Sequence, residues 1–384
     1  MSSTPPRIAV VTTVHRWGDP RVFERQVATY LEWGCEVHVF MPPAEPDRKG
    51  WSVNANLHFH PLPESQGRLQ RFLLSLGAGR RVAIEGVFDV VHFHDPELIP
   101  TMAFLAAFRR NAYFLYDIHE ELPLEVESKP YLPPALRKPV ALLARGAWRW
   151  ARLAFEGFAP ATEAIATHWP PERTRIVHNY PKSVYSRGGD GVAAPDPNRL
   201  LFIGALTELR GIREALGAVR IVRERFPAVR LDLVGPINDT SLAPVVGEAV
   251  REGWCTHTPW LAPEELAVFS SGAGVGLVPY LPQPDHLEAL PTKIFEYMAM
   301  GIPILASDFR LWRGLIQETG IGRVARPETT ALAQTLCEML AAPAALEQYG
   351  ARGREAYHRG YRWETERENL RWHLERAMRS RTRA

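Results

Sequence analysis

In the segment EALPTKIFEYMAMGIPILAS, Glu288 and Glu296 bracket seven residues, with Pro291, Thr292 and Lys293 between them. The pattern predicts a helix beginning near Pro291, because proline suits a first turn whose N–H would be unpaired anyway. Such a helix start, reached at the carboxyl end of the apolar run GVGLVPY (Gly274–Tyr280), offers free backbone N–H groups and a positive dipole end to an anion. Lys293 adds a point charge beside it. Glu288, just before the helix, has the chemistry to accept hydrogen bonds from sugar hydroxyls, and Glu296 to hold a ribose diol. The same spacing also fits a solvated, capped helix end.

A second constellation is His92-Phe93-His94-Asp95. Alternate residues of a strand share one face, so the two histidines could ligate zinc as in metal-dependent hydrolases. A zinc site needs a third protein ligand and an ordered second shell, and no such set is recognisable. A histidine packed or hydrogen-bonded at a strand end is the competing reading. In the first loop, Gly18 permits close approach of backbone to a ligand and equally suits a plain turn. His15 and Asp19 lie in the same loop and receive no chemical role. The loop lacks GxGxxG, which argues against a nicotinamide-dependent dehydrogenase.

These residues sit among short β-branched runs that alternate with helical patterns, the rhythm of parallel βαβ units. RIAVV (Arg7–Val11), EVHVF (Glu36–Phe40), DVVHFH (Asp89–His94), YFLYDI (Tyr113–Ile118) and RIVHN (Arg175–Asn179) read as strands of one sheet, with a helix over Glu24–Trp33. The rhythm restarts with RLLFIGAL (Arg199–Leu206), a helix from Ile212 to Phe226, RLDLVG (Arg230–Gly235), GVGLVPY and IPILAS (Ile302–Ser307). The fold class is therefore α/β, with a first domain over residues 1–182, a Gly- and Pro-rich linker over 183–198, a second domain over 199–358, and a terminal helix over 359–384 expected to cross back to the first domain.

A length of 384 residues, with 46% hydrophobic and 23% charged, excludes both a disulfide-stapled module and wholesale disorder. The net charge of +2 gives no global field for nucleic acid, so charge-driven partners must be met locally. Cys35, Cys255 and Cys337 form no CxxC pair, which fits a reducing compartment. Without a signal-like start or a long apolar span, the expected location is cytoplasmic, with peripheral attachment to the inner face of a membrane left open. Lys129 to Arg152 holds six cationic residues and no acid, with Leu142, Leu143, Trp148 and Trp150 interspersed. It reads as a basic helix for an anionic lipid surface, or as a solvated helix with its apolar side in the core; Arg68, Arg71, Arg80 and Arg81 would extend the surface.

Glu288-x7-Glu296 followed by Ala-Met-Gly and a strand resembles the signature of glycosyltransferase family 4, retaining enzymes of two Rossmann-like domains in the GT-B arrangement with a deep interdomain cleft. The resemblance covers nearly the whole chain: HRWGDPRVFERQV, HFHDPELIP, YDIHEELP and FIGALTELRGI are similar to the family's successive segments, and LPTKIFEYMAMGIPILASDFRLW to its bacterial polysaccharide-assembly members. The resemblance implies that a nucleotide-sugar donor binds mainly the second domain and the acceptor mainly the first. By position, Glu288 would contact the donor sugar, Glu296 the ribose, and His119 would approach the transferred sugar near the reacting carbon. Gly18, Gly204, Arg210, Thr292 and Lys293 would complete the donor site; His94, Asp95, Glu97 and Glu120 would line the acceptor side. The family's glycine-Arg…Lys-Gly frame reads Gly204-Ala205…Arg210-Gly211 here, so one cation is missing, and Lys293 is placed to replace it.

The expected activity is transfer of a sugar from a nucleoside diphosphate, UDP first and GDP second, to a saccharide or lipid-linked acceptor, with retention and without metal or other cofactor. The alternatives are a metal-dependent hydrolase using the His92 and His94 segment, and an inactive GT-B nucleotide-sugar-binding partner protein, suggested by Ala205.

Overall fold

The computed structural model describes residues 4–43, 54–65, 67–109, 111–119, 133–189, 195–287 and 289–381. The chain divides into one compact unit of Met1–Asn179 with Glu366–Ala384, and another of Tyr180–Thr365.

The first unit is built on six parallel strands, β1 (Arg7–Val11), β2 (Glu36–Met41), β3 (Leu57–Pro61), β4 (Val90–Phe93), β5 (Tyr113–Ile118) and β6 (Gly157–Pro160), in the order β3-β2-β1-β4-β5-β6. The second repeats the plan with β7 (Asp196–Ile203), β8 (Arg230–Val234), β9 (Cys255–Thr258), β10 (Ala273–Val278), β11 (Ile304–Ser307) and β12 (Gly322–Ala325), ordered β12-β11-β10-β7-β8-β9. Each order reverses beside the first strand of its sheet, between β1 and β4 and between β7 and β10. Parallel α/β sheets open a crevice at the carboxyl ends of the strands at such a point.

The apolar runs recognised in sequence are the central strands. The four strands absent from the sequence reading, β3 (LHFHP), β6 (GFAP), β9 (CTHT) and β12 (GRVA), are the four sheet edges. An edge strand has only one neighbour and is kept short, and β3 and β9 are also partly polar and exposed, so these segments lack the long apolar run of a central strand; β6 is buried but only four residues long. RIVHN is not a strand. Arg175 and Val177 donate backbone N–H to Phe158 and Pro160 of β6, but regular pairing is limited to a single bridge, Phe158 to Thr174. The next donor, His178 N–H, goes to the Glu366 carboxylate at 2.9 Å.

The domain boundary also differs from the expected linker. Ser183–Gly189 forms 3-10 turns packed on the helices Pro263–Ser270 and Thr292–Met300, so these residues belong to the second unit. Glu366 binds His178, Tyr113 Oη lies 3.0 Å from His373 Nδ1, and Arg376 donates to Glu172 O at 2.8 Å, all within the first unit. In the second unit, the Tyr297 hydroxyl donates to Leu201 O and accepts from Ile203 N–H, each at 3.1 Å, which fixes the helix Thr292–Met300 on β7. The ring lies where a Cβ at position 276 would stand, so Gly276 is required for this packing.

Burial works to lower the pKa of His178, but hydrogen bonds to Glu163 (3.0 Å) and Glu366 outweigh it and push it up to about 9. A raised folded value adds stability that is fully present below the unfolded histidine pKa near 6.5 and is lost as pH rises through about 9. His178→Gln is expected to remove roughly 1.5–3 kcal/mol at pH 6 and to flatten the fall in stability between pH 7 and pH 9, read by urea unfolding.

Candidate functional site

In the first unit the groups converge on one buried carboxylate. Asp117, the single acid in the buried strand β5, has no solvent exposure. Arg21 holds it with both arms, Nη2 at 2.6 Å from Oδ1 and Nε at 3.1 Å from Oδ2, and Gln26 donates to Oδ2 at 2.5 Å. Arg21 and Gln26 are five residues apart because Val22–Val27 is a π-helix. The backbone bond from Gln26 N–H to Arg21 O stacks the two positions, which an α-turn would not do. Beyond Gln26 the chain becomes the α-helix Ala28–Glu32, so the helix expected over Glu24–Trp33 starts in a different winding.

Three histidines complete the cluster: His94 Nδ1 lies 3.1 Å, His119 Nε2 3.4 Å and His92 Nε2 3.8 Å from Asp117 Oδ2. His94 and His119 face each other at 3.3 Å, and Tyr30 Oη lies 3.2 Å from His92 Nδ1. Burial opposes ionisation of Asp117, yet Arg21 first, then His119 and His94, hold its carboxyl well below the usual range. His92 and His94 are pushed down, chiefly by burial, and are neutral near pH 7.

The β1 loop is tied to the end of β4 by Asp95, which accepts from Thr12 Oγ1 (2.8 Å) and from Thr13 N–H (2.5 Å) and Oγ1 (3.2 Å). Glu97 accepts from the same Thr13 hydroxyl at 3.1 Å, and burial followed by Asp95 raises its pKa. Gly18 takes a left-handed φ of 80° in this loop. His15 pairs with Asp19 at 2.9 Å, and its ring centroid lies 5.0 Å from that of His119. Against burial, Asp19 raises the His15 pKa.

Asp117 is thus the third donor that the sequence does not reveal for a His92 and His94 metal site. The set does not fit zinc, because the guanidinium of Arg21 already occupies both carboxylate oxygens and supplies the positive charge a metal would bring.

In the second unit, Arg210 and Lys293 meet over Gly204. A Cβ there would stand 3.3 Å from Arg210 Nη1 and 3.5 Å from Lys293 Nζ, and Gly204 has φ 106°. Arg210 Nη1 donates to Ala205 O at 3.2 Å. Gly211 follows with φ 70° and begins the helix Ile212–Arg225, its position closed to any side chain by Pro279 O. The helix of the Glu288 and Glu296 segment runs over Thr292–Met300 with Pro291 as its N-cap, so Thr292 and Lys293 occupy its first turn. Lys293 is 6% exposed, and its Nζ lies 3.6 Å from the centre of the Phe202 ring without a hydrogen-bond partner among the described residues. Burial, then Arg210, push its pKa well below the ordinary value, while Glu296 opposes them. A buried amine without a hydrogen-bond partner, beside a guanidinium and a helix N-terminus, is an arrangement whose protonated form an anion would favour. Glu288 and Glu120 lie outside the described residues.

The sequence reading named His94, Asp95, Glu97 and His119 but missed Arg21, Gln26, Tyr30 and Asp117. A lone acid inside the apolar run YFLYDI was the available signal. Asp117→Ala is expected to cost about 3–5 kcal/mol in urea unfolding, because it strands the Arg21 charge in the interior. The depressed Asp117 pKa contributes stability present above an unfolded aspartate pKa near 3.9 and lost as pH falls below it. The variant should accordingly show a shallower acid limb.

A family model described as "Glycosyl transferases group 1" matches residues 197–342. Amylovoran biosynthesis glycosyltransferase AmsK of Erwinia amylovora is 27% identical over 118 residues, a match spanning 30% of this chain and 29% of the length of AmsK. Sucrose-phosphate synthase of Thermosynechococcus elongatus superposes with a TM-score of 0.70 at 18% identity, covering 98% of this chain and all of that one. Anabaena HepE, solved in complex with UDP and glucose, gives a TM-score of 0.69 at 14% identity, covering 96% and 99% of the two chains. The two six-stranded parallel sheets share the GT-B fold of these structures, and residues 197–342, which carry Gly204, Arg210 and Lys293, are similar to the glycosyl transferases group 1 model.

Proposed function

We propose that the protein is a retaining, metal-independent glycosyltransferase that moves a sugar from a nucleoside diphosphate, UDP before GDP, to a saccharide or lipid-linked acceptor. The observation that carries this reading is the pair Arg210 and Lys293 converging over Gly204 inside the segment that matches the group 1 model. The leaving diphosphate gains negative charge as the sugar becomes oxocarbenium-like, and preorganised cations stabilise that charge. Lys293 takes the place left by Ala205, so the reading does not need the inactive-partner alternative. Glu296 holds the ribose and Glu288 the donor sugar. On the acceptor side, His119 acts next to the transferred sugar, with His94, Asp95, Glu97 and Glu120 around the acceptor. The Asp117 cluster positions His119 and His94. The UDP and glucose bound to HepE support the choice of donor.

A lipid-linked acceptor is supported by the outer surface of the first unit. The helix Arg68–Ile84 packs on Ile99–Phe108, which packs on Pro134–Ala154. These three segments hold four, no and five cationic residues respectively, and no acid. Leu73, Phe104, Phe108, Leu142, Leu143 and Leu153 are at least 60% exposed on them. Apolar side chains ringed by arginines suit an anionic bilayer surface. Among the described residues no helix is long and apolar enough to cross a membrane.

The test is thermal stabilisation across UDP, GDP, ADP and their sugar conjugates, since a ligand at 100 times its Kd adds about 2.7 kcal/mol. UDP conjugates are expected to stabilise selectively. Glu296→Ala should weaken the nucleotide Kd roughly tenfold or more, the equivalent of ~1.4 kcal/mol. His119→Ala should leave that Kd in place and lower kcat by about 100-fold, the low end of general acid–base and positioning effects. Absence of a shift with any nucleotide would sink the assignment. For the membrane surface, Leu142→Glu with Leu143→Glu should abolish co-sedimentation with phosphatidylglycerol vesicles while nucleotide affinity stays the same.

A further inference from the structure

Two loops of the first unit flank the crevice where its sheet reverses strand order. His15 follows β1, Asp95 follows β4, and these strands are neighbours. Asp19 fixes His15 from behind: its Oδ1 accepts from the backbone N–H groups of Arg21 (2.9 Å) and Val22 (2.8 Å), and its Oδ2 lies 2.9 Å from His15 Nδ1. Burial opposes ionisation of Asp19, yet His15 first, then the Val22 N–H and His119, hold its carboxyl well below the usual range. An ionised carboxylate has no hydrogen to give, so Nδ1 of His15 carries the hydrogen of this contact and Nε2 is the end left for a ligand.

Asp95 is fixed in the same manner. Its Oδ2 takes the Thr12 hydroxyl and the N–H and hydroxyl of Thr13, which leaves Oδ1. His15 Nε2 and Asp95 Oδ1 face each other at 3.9 Å, too far for a direct hydrogen bond, and neither atom has a hydrogen-bond partner among the described residues. The His15 side chain is 24% exposed, so a ligand can reach it. An oxygen ~2.8 Å from each atom would see them about 90° apart, which a hydroxyl can serve by accepting from one and donating to the other. The crevice is poor ground for an anion. Asp95 and Asp117 act on His15 in addition to Asp19, and Glu97 shares the Thr13 hydroxyl with Asp95. The Arg21 guanidinium is bound to both oxygens of Asp117, and Arg71, which acts on Glu97 through space, donates Nε to Ser65.

We propose that His15 Nε2 and Asp95 Oδ1 hold one hydroxyl of the acceptor between them, and that the sugar unit bound there is uncharged. This role, which rests on the reading of the first unit as the acceptor side, makes Asp19, Thr12 and Thr13 positioning residues. A protonated His15 gives Nε2–H to the hydroxyl oxygen while the hydroxyl gives its hydrogen to Asp95. A neutral His15 offers a lone pair at Nε2, and the single hydroxyl hydrogen then serves only one of the two. Burial lowers the pKa of His15, but Asp19 first, then Asp95 and Asp117, raise it above its ordinary value. The rings of His119 and His94 also face it, 5.0 and 6.2 Å away between centroids. Binding is therefore strongest while His15 is protonated and weakens as pH rises through the raised value. A carboxylate or phosphate on the bound sugar would be repelled by Asp95 and Glu97.

The full chain with isotope-labelled histidine is followed by NMR at the imidazole nitrogens, the His15 signals being assigned by their loss in His15→Phe. The neutral probes are the p-nitrophenyl glycosides of glucose, mannose and galactose, and the charged probe is p-nitrophenyl glucuronide. The expected result is a protonated Nδ1 on His15, a titration midpoint above ~6.5 that falls in Asp19→Asn, and a saturable shift of Nε2 with a neutral glycoside but not with the glucuronide. The affinity for that glycoside should fall as pH rises through the midpoint. Asp95→Asn keeps an oxygen for Thr12 and Thr13 but turns an amide N–H toward the hydroxyl, and should weaken the glycoside Kd roughly five- to tenfold. Nucleotide-induced stabilisation should persist in these variants, so failure here is separable from failure of the donor reading. No His15 shift with any neutral glycoside, an equal shift with the glucuronide, or unchanged affinity in Asp95→Asn would overturn the clamp.

Discussion

The first unit is organised by the need to keep one buried charge solvated. Asp117 is fully buried near the carboxyl end of β5, where an unpaired carboxylate would be prohibitively costly. Arg21 and Gln26 meet that need, and they reach the same carboxylate because the chain winds as a π-helix through Val22–Val27. The parallel register of β4 and β5 then sets His92 and His94 on the same side. His119, just past the strand, faces both Asp117 and His94. The positions of three histidines thus follow from a single electrostatic requirement.

The second unit poses the opposite problem. Its buried ionisable group is Lys293, whose charged form is disfavoured by burial and further by the nearby Arg210. Glycine geometry allows this crowding. Gly204 leaves room for both cationic side chains, and Gly211 turns the backbone into the next helix where Pro279 O excludes a side chain. In the first unit the buried carboxylate is closed by internal partners, while in the second the Lys293 amine has no hydrogen-bond partner among the described residues.

The two faces of the first sheet also carry different loads. One holds the Asp117 cluster. The other holds the main apolar core, with Phe40, Phe93 and Phe114, and at its margin the His38 and His60 chain. Alternation along each strand keeps the two histidine groups on opposite faces of the one sheet.

The sequence alone determined the tandem α/β plan, since central strands are buried on both sides and must be written as apolar runs. It also singled out Lys293 and Glu296, because a helix start is a local feature, whereas Gly204 and Arg210 were named through the resemblance to glycosyltransferase family 4. The edge strands were illegible for the converse reason: LHFHP and CTHT carry no buried run. The meeting of Arg21 with Asp117, across 96 positions, and of His38 with His60 across the β2–β3 connection depends on register and on a π-turn. Neither leaves a periodic trace in the chain. Tertiary structure decided which acids and bases touch, because that is a property of strands brought side by side and not of any one segment.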